Sequence, residues 1–154
     1  MKGLGMPHFG HMDESKMTRS EADLLRARLH LRSGKRRLSE GKLRSGVETV
    51  YDALYSAMRA YALSPANRHR FENVDIGSEQ ELHAALVKAG VLNNRFEFLR
   101  FKELVEEAVN EELPVYDHEY DSTWLIRGVE SIMTQLGALP FDEASLPKEE
   151  PGAF

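Results

Sequence analysis

Apolar residues recur every three or four positions along much of this sequence, which is the period of an amphipathic α-helix. The clearest stretch spans residues 43–63. Small residues at positions 53, 57 and 60 flank its apolar stripe and would let a neighbouring helix approach closely. This stretch therefore predicts a helix packed tightly against another. Its apolar stripe consists of Val47, Val50, Tyr51, Leu54, Met58 and Tyr61.

Capping signals and glycines predict four more helices. Thr18 and Glu21 have the spacing of a capping box, and Gly41 can close the first helix in a left-handed conformation. Because only a short turn around Gly41 precedes the second helix, these two helices are expected to pack antiparallel. The other predicted helices are residues 18–40, residues 78–89, a fourth that Asn93 or Asn94 caps, and a fifth that Ser122 caps and Gly137 ends.

No segment alternates apolar and polar residues between hairpin turns, so no strand is predicted. The sequence predicts an all-α fold, a single-domain antiparallel bundle of about five helices over residues 18–139. Residues 1–17 have no sustained period and are interpreted as a flexible leader or a remnant of cloning. Residues 140–154 hold three prolines and three glutamates and are expected to form a poorly ordered tail.

The composition restricts the function classes. The chain has 154 residues, a formal net charge of -5 and no cysteine, which excludes disulfides, thiolate metal sites and a cysteine nucleophile. The negative charge argues against a surface that attracts nucleic acid everywhere, so any contact with phosphates needs a local patch. The N-terminus has no signal-peptide pattern, and no apolar run is long enough for a membrane span. A soluble, cytoplasmic protein without membrane contact is expected.

The turn at Gly41 and the helix after it resemble the first helical hairpin of HEPN domains, a family of small prokaryotic helical domains. In that family a glycine turn is followed by a small residue, an aromatic-alanine pair, a second aromatic and an alanine-rich end. The resemblance covers residues 20–63. Beyond Ser78 it depends on helix order and on His83. The positions that carry it are Tyr51, Ala53, Tyr55, Ala57 and Ala60.

The resemblance implies a helical bundle that dimerises with itself. Many HEPN domains are RNA-cleaving toxins of toxin-antitoxin systems or partners of small nucleotidyltransferases, so it also implies a nucleotidyltransferase-type partner and an RNA or nucleotide ligand. The family's ribonucleases carry an arginine, four to six residues and then a histidine near the start of the last helix. That spacing is missing here. Arg127 has no histidine after it, although His118 precedes it, and these two are the weak catalytic candidates.

Two basic groups could contact phosphates. Arg68, His69 and Arg70 combine permanent charge with a titratable imidazole in one predicted loop, although such loops are often only solvated. A second group surrounds the first interhelical turn and could meet RNA or an acidic partner. Cations at a helix C-terminus also complement the helix dipole, which is the structural alternative for this second group. Its members are Lys35, Arg36 and Arg37 at the end of the first helix and Lys42 and Arg44 after the turn.

Other polar residues give weaker signals. Asp117, His118, Glu119 and Asp121 could hold a divalent ion, but no loop signature fixes their geometry, so neither a metal nor a cofactor is expected. The three tyrosines of the second helix suit core or dimer packing, and a base-stacking surface is the alternative.

The resulting hypothesis is a HEPN-like domain that acts by association in a nucleotide- or RNA-related system, without the usual ribonuclease motif. Two alternatives stay open. One is a plain scaffold or interaction bundle. The other is an atypical, metal-independent ribonuclease, whose residues would come from Arg68, His69, Arg70, His118 and Arg127.

Overall fold

The computed structural model describes residues 16–110 and 122–149, and these residues form five α-helices and no strand. A one-turn 3₁₀ helix, Arg68–Arg70, follows the second helix, and another, Glu143–Ser145, follows the fifth. The all-α fold predicted from the hydrophobic period is confirmed. The helices are α1 Arg19–Ser39, α2 Leu43–Leu63, α3 Glu79–Lys88, α4 Phe98–Val109 and α5 Thr123–Gln135.

Helix α1 begins at the predicted capping box. The Thr18 hydroxyl accepts from the Glu21 amide at 3.1 Å, and the Glu21 carboxylate accepts from the Thr18 amide at 2.9 Å. Helix α1 is followed by Gly41 with φ 77°, and Gly90 and Gly137 have φ 78° after α3 and α5. These left-handed positions are where a residue without a Cβ avoids strain. The predicted ends of these helices are therefore confirmed.

The predicted cap of α4 is wrong. This helix begins at Phe98, with Glu97 in the N-cap position and no side-chain cap. Asn93 is used in the preceding turn instead, where its side-chain oxygen accepts from the Arg95 amide at 3.3 Å. Ser122 does occupy the N-cap position of α5, but its hydroxyl makes no capping hydrogen bond. In both cases a residue of a capping type lies near the start of the helix, but its side chain does not make the capping hydrogen bond.

Helices α1 and α2 approach each other so closely that two glycines are required between them. A Cβ on Gly34 of α1 would lie 2.5 Å from Cγ2 of Val50, and a Cβ on Gly46 of α2 would lie 2.6 Å from Cδ2 of Leu38. Both distances are shorter than van der Waals contact, so the glycines are what allows the two backbones to come together.

Helix α2 lies at the centre of the bundle and contacts α1, α3, α4 and α5. Its predicted apolar stripe faces the core, because Val47, Leu54 and Met58 are fully buried. Tyr51 packs edge-on against Phe101 of α4, with the ring centroids 5.1 Å apart. The side chains that the other helices bring to this core include Leu31, Leu82, Leu86, Phe98, Phe101, Leu125, Val129, Ile132 and Met133.

The chain after α5 crosses the outer side of α1. Residues 138–149, called the C-terminal segment below, bury Leu146 against Leu29. The sequence predicts poor order from residue 140 onward, whereas residues 140–149 make specific contacts with α1. The periodicity argument missed them because a single leucine and a single glutamate, rather than a repeat, attach the segment. Residues 150–154 of the predicted tail and residues 1–15 of the predicted leader lie outside the described residues.

The glycine contact predicts a steric penalty for Gly34→Ala. We expect this substitution to lower the free energy of unfolding by about 1–3 kcal/mol, because overpacking outweighs the gain in helix propensity. Urea unfolding of the variant measures it. In a Val50→Ala background the clashing methyl is gone, so the penalty should shrink by about 1 kcal/mol or more. An equal penalty in both backgrounds would contradict the proposed contact.

Candidate functional site

Polar contacts cross the interface between α1 and α2 at three levels, in a region whose surroundings are mostly apolar. Because the two helices run antiparallel, residues later in α1 pair with residues earlier in α2. We call this set the polar ladder. Its levels are Asp23 with Arg59, then Arg26 and His30 with Asp52, and then Arg37 with Thr49.

Asp52 is the centre of the ladder. Its Oδ2 accepts from Arg26 Nε at 3.0 Å and from the Ser56 hydroxyl at 3.3 Å, and it also contacts Nδ1 of His30. Burial by itself would raise the pKa of Asp52. The hydrogen bond from His30 and the positive charge of Arg26 outweigh burial and hold that pKa at about 2. Asp52 is therefore a carboxylate at neutral pH.

His30 is the interior partner of this carboxylate, with only 3% of its surface exposed. Burial lowers the pKa of His30, and the hydrogen bond to Asp52 only partly opposes that effect. The imidazole is thus neutral at pH 7 and can donate from Nδ1 to Asp52. A general base must reach the proton that it removes, and His30 lies inside the helix pair. The geometry suits a role in orienting the two helices rather than in catalysis.

Asp23 and Arg59 form the level of the ladder near the start of α1. The Arg59 guanidinium donates to Asp23 Oδ1 at 2.8 Å and lies over the Tyr55 ring, 4.5 Å from its centroid. Burial raises the pKa of Asp23 despite the opposing charge of Arg59. This contact is therefore a buried, stacked ion pair whose components face each other and not a ligand site.

Three of the basic residues predicted around the first interhelical turn, those at the end of α1, do not share one surface. Lys35 Nζ pairs with Glu130 of α5 at 2.9 Å, and Arg36 pairs with Glu149 at 3.0 Å. Arg37 is fully buried and donates to the Thr49 hydroxyl. Burial, together with the charge of Arg36, lowers the pKa of Arg37 to about 10. Consecutive positions on a helix point about 100° apart, which explains why these side chains separate.

Arg68, His69 and Arg70 do lie together, on the exposed 3₁₀ turn after α2. Asn67 accepts from Arg70 Nη1 at 3.1 Å, and the Arg70 guanidinium lies over the Phe71 ring, 5.4 Å from its centroid. Phe71 is buried and anchors the turn. The turn therefore presents two arginines and an imidazole to solvent, and phosphate binding by them stays a prediction.

The structure does not test the candidate catalytic pair of His118 and Arg127, because it describes only one of the two residues. Arg127 is exposed on α5, whereas His118 lies outside the described residues. The acidic run 117–121 lies outside them as well. Within the described ranges, no group of three or more His, Asp or Glu side chains is placed to hold a metal ion.

The tyrosines of α2 are half-buried and use their hydroxyls internally. Tyr51 donates to Glu79 at 3.2 Å, and Tyr55 donates to the carbonyl of Ile76 at 2.6 Å. Burial, with the neighbouring charge of Glu79, raises the pKa of Tyr51. Tyr61 packs edge-on against Phe71, with centroids 6.2 Å apart. These contacts attach α2 to the loops around it, which favours the packing interpretation over base stacking.

Two large apolar side chains are exposed near the starts of α4 and α5. Among the described residues, Leu99 at 57% and Trp124 at 37% are the large apolar side chains left exposed. The Trp124 ring stacks on Phe96 with centroids 6.0 Å apart. Phe96 in turn covers Gly128, where a Cβ would collide with the ring. We call Phe96, Leu99 and Trp124 the Leu99–Trp124 surface.

Sequence reasoning missed the polar ladder, although a signal for it exists. Asp23, Arg26 and His30 are spaced three and four apart on α1, and the same spacing relates Asp52 and Ser56 on α2. A polar stripe at helical period beside an apolar stripe indicates polar groups inside a helix pair. Pairing the two stripes needs the register of the hairpin, which only the structure supplies.

Comparison with known proteins finds no match to the chain among protein-family models, curated proteins or solved structures. The HEPN resemblance therefore stays a prediction from the sequence pattern. No helix within residues 16–110 and 122–149 has the length and apolar character to cross a membrane.

Neutral, buried His30 predicts a specific pH dependence of stability. In the unfolded chain a histidine titrates near pH 6.5, but burial lowers the pKa of His30 in the folded chain. As pH falls below 6.5 the unfolded state therefore takes up the proton first, and the free energy of unfolding falls by up to about 1.4 kcal/mol per pH unit. His30→Gln should flatten this slope between pH 7 and pH 5, as measured by urea unfolding.

His69→Gln is the matched control, because His69 is exposed and should leave the slope unchanged. Burial also lowers the pKa of His83, so part of the slope will persist in both variants. A His30→Gln variant with the full wild-type slope would contradict a neutral buried imidazole.

Proposed function

We propose that this chain is a HEPN-like helical domain that acts by association, as a homodimer, in a nucleotide- or RNA-related system, and that it does not cleave RNA by the family's usual chemistry. A nucleotidyltransferase-type or toxin-antitoxin partner fits the same proposal. The observation that supports association is the exposure of the apolar side chains of the Leu99–Trp124 surface. The family part of the proposal depends on the sequence pattern of the α1–α2 hairpin.

The Leu99–Trp124 surface has the composition of an interface between identical copies. Its centre is aromatic and aliphatic, which is typical of interface hot spots. Charges of both signs border it: Glu103 is four residues after Leu99 on α4, and Arg127 is three residues after Trp124 on α5. A two-fold axis brings the same patch of both copies together, so Arg127 of one copy can pair with Glu103 of the other. A second copy is therefore the occupant that we propose.

The ladder supports a non-catalytic role for the hairpin. Asp23 pairs with Arg59, Asp52 pairs with Arg26, and His30 is buried between the same two helices. Groups used in this way stabilise a platform and are not available to a substrate. The RNA-related part of the proposal relies on the exposed turn at Arg68–Arg70.

One observation favours the ribonuclease alternative. His69 is exposed and has an arginine on either side of it in the same turn. An imidazole beside guanidinium groups could move a proton while the arginines stabilise the charge of a phosphate. Cleavage activity at this turn is therefore the result that separates the two proposals.

Association is tested by solution mass. Wild-type chain measured by light scattering should have about twice the monomer mass of 17.5 kDa. Leu99→Glu places a charge in the proposed interface and should weaken dimerisation by roughly 30-fold, equivalent to about 2 kcal/mol. Gln80→Glu, an exposed change of equal charge on α3, is the control and should remain dimeric. A wild-type monomer at high concentration, or a dimer that Leu99→Glu leaves intact, would contradict the proposed interface.

RNA contact is tested with a labelled single-stranded RNA incubated with the protein. We expect binding without cleavage, and binding should weaken in Arg68→Ala/Arg70→Ala, with the salt dependence of log K reduced by roughly 0.7 per lost phosphate contact. Lys88→Ala, an exposed change at the end of α3, should have no such effect. Cleavage that His69→Ala abolishes would instead establish the ribonuclease alternative.

A further inference from the structure

The C-terminal segment is attached to a row of arginines on the outer face of α1. Arg28, Arg32 and Arg36 are spaced four apart and therefore share one face. Arg28 Nε donates to the carbonyl of Ala138 at 3.0 Å, and Arg32 Nη2 donates to the carbonyl of Pro147 at 2.6 Å. Two of the three arginines thus bind the backbone of the segment and not its side chains.

The third arginine binds a carboxylate in a bidentate contact. Arg36 Nη2 donates to Glu149 Oε1 at 3.0 Å, and Arg36 Nε donates to Oε2 at 3.2 Å. The Ser33 hydroxyl also donates to Oε1, at 2.9 Å. Burial by itself would raise the pKa of Glu149, but the hydrogen bonds from Arg36 and Ser33 lower it. Such a bidentate contact selects a planar anion at a fixed position.

An apolar recess completes this face. Leu146 of the segment is 9% exposed and packs with Leu29, which is completely buried, and with Leu25. Phe141 joins the same cluster and lies under the Arg28 guanidinium, 5.3 Å from its ring centroid. Leu25 and Leu29 are separate from the main core, so the C-terminal segment is what buries them.

These contacts describe the recognition of a peptide that contains one 3₁₀ turn. The backbone carbonyls of Ala138 and Pro147 each accept a hydrogen bond from a guanidinium group, Leu146 fills the apolar recess, and Glu149 supplies the anion. A nucleic-acid backbone could meet the arginines but has nothing to place against Leu25 and Leu29. The observations therefore favour a peptide over RNA as the ligand of this face.

The segment does not fill the space next to this face. A cavity of about 380 Å³ lies between α1, α5 and the segment, and Arg32, Glu130 and Phe141 are among its walls. Nε of Arg32 is buried and makes no hydrogen bond to any part of the chain that the structure describes. Incomplete packing and an unsatisfied donor both reduce the cost of releasing the segment. A different peptide could use this volume and this donor.

We infer that the outer face of α1, from Leu25 to Arg36, is a peptide-docking groove that the C-terminal segment occupies in the resting chain. The partner it fits is an acidic peptide with the spacing of the segment itself: an aromatic residue, then leucine and proline five and six positions later, then glutamate two positions after the proline. This inference is independent of the Leu99–Trp124 surface, so either proposal can fail alone.

The chain's own segment competes with such a partner at a high effective concentration, because it is tethered beside the groove. The wild-type chain should therefore bind a free peptide weakly, and loosening the segment should expose the groove. Leu146→Asp/Glu149→Ala removes the apolar anchor and the anion in the full chain. We call this variant the opened chain.

The probe is a fluorescein-labelled peptide of residues 139–149, and binding is followed by anisotropy. We expect the opened chain to bind it at least about tenfold more tightly than the wild type does. Arg36→Glu added to the opened chain should remove most of this gain. A probe carrying Glu149→Lys should then recover binding to the Arg36→Glu protein, because the charges are exchanged, and a variant that had merely lost its fold could not give this recovery.

Three results would overturn the inference. One is an opened chain that remains helical by circular dichroism but binds the peptide no better than the wild type. Another is failure of the exchanged charges to recover binding. The third is a gain in affinity for a single-stranded RNA probe in place of the peptide, which would identify the face as a nucleic-acid surface.

Discussion

The close contact between α1 and α2 is the constraint on which the rest of the structure depends. Gly34 and Gly46 allow the two backbones to approach, and the polar ladder fixes their register because Asp52 can meet Arg26 and His30 in only one alignment. A shift by one turn would leave buried charges without partners, which costs more than the pairs themselves contribute. Helix α2, held in this alignment, then offers its remaining faces to α3, α4 and α5.

Much of this fold could be predicted from the sequence, because the hydrophobic period and the capping residues act locally. The bounds of α2, the capping box at Thr18 and the glycine ends follow from neighbouring residues alone. The start of α4 could not be predicted in this way, because Asn93 has a second possible use in the turn before the helix. Local signals identify possible contacts, and tertiary packing decides which of them forms.

The candidate sites were less predictable, because a charged residue has no preferred partner in the sequence. Arg36 and Arg37 are neighbours, yet one binds Glu149 on the outer side of α1 and the other is buried against α2. The partner of each arginine depends on which face of α1 meets α2, and on a segment more than a hundred residues away in the chain. The grouping of Arg68, His69 and Arg70 was easier to predict, because these residues are adjacent in the sequence and all three are exposed.

The two faces of α1 differ in the strength of their contacts, and this difference bears on function. The inner face combines extensive burial, close backbone approach and paired charges, so it can separate only when the bundle unfolds. The outer face has one leucine, one carboxylate and two backbone carbonyls from the segment, beside a partly empty cavity. Regions with few buried apolar contacts open at lower free energy than the core does. An exchange of partners on α1 can therefore occur at the outer face while the inner face keeps the helix in position.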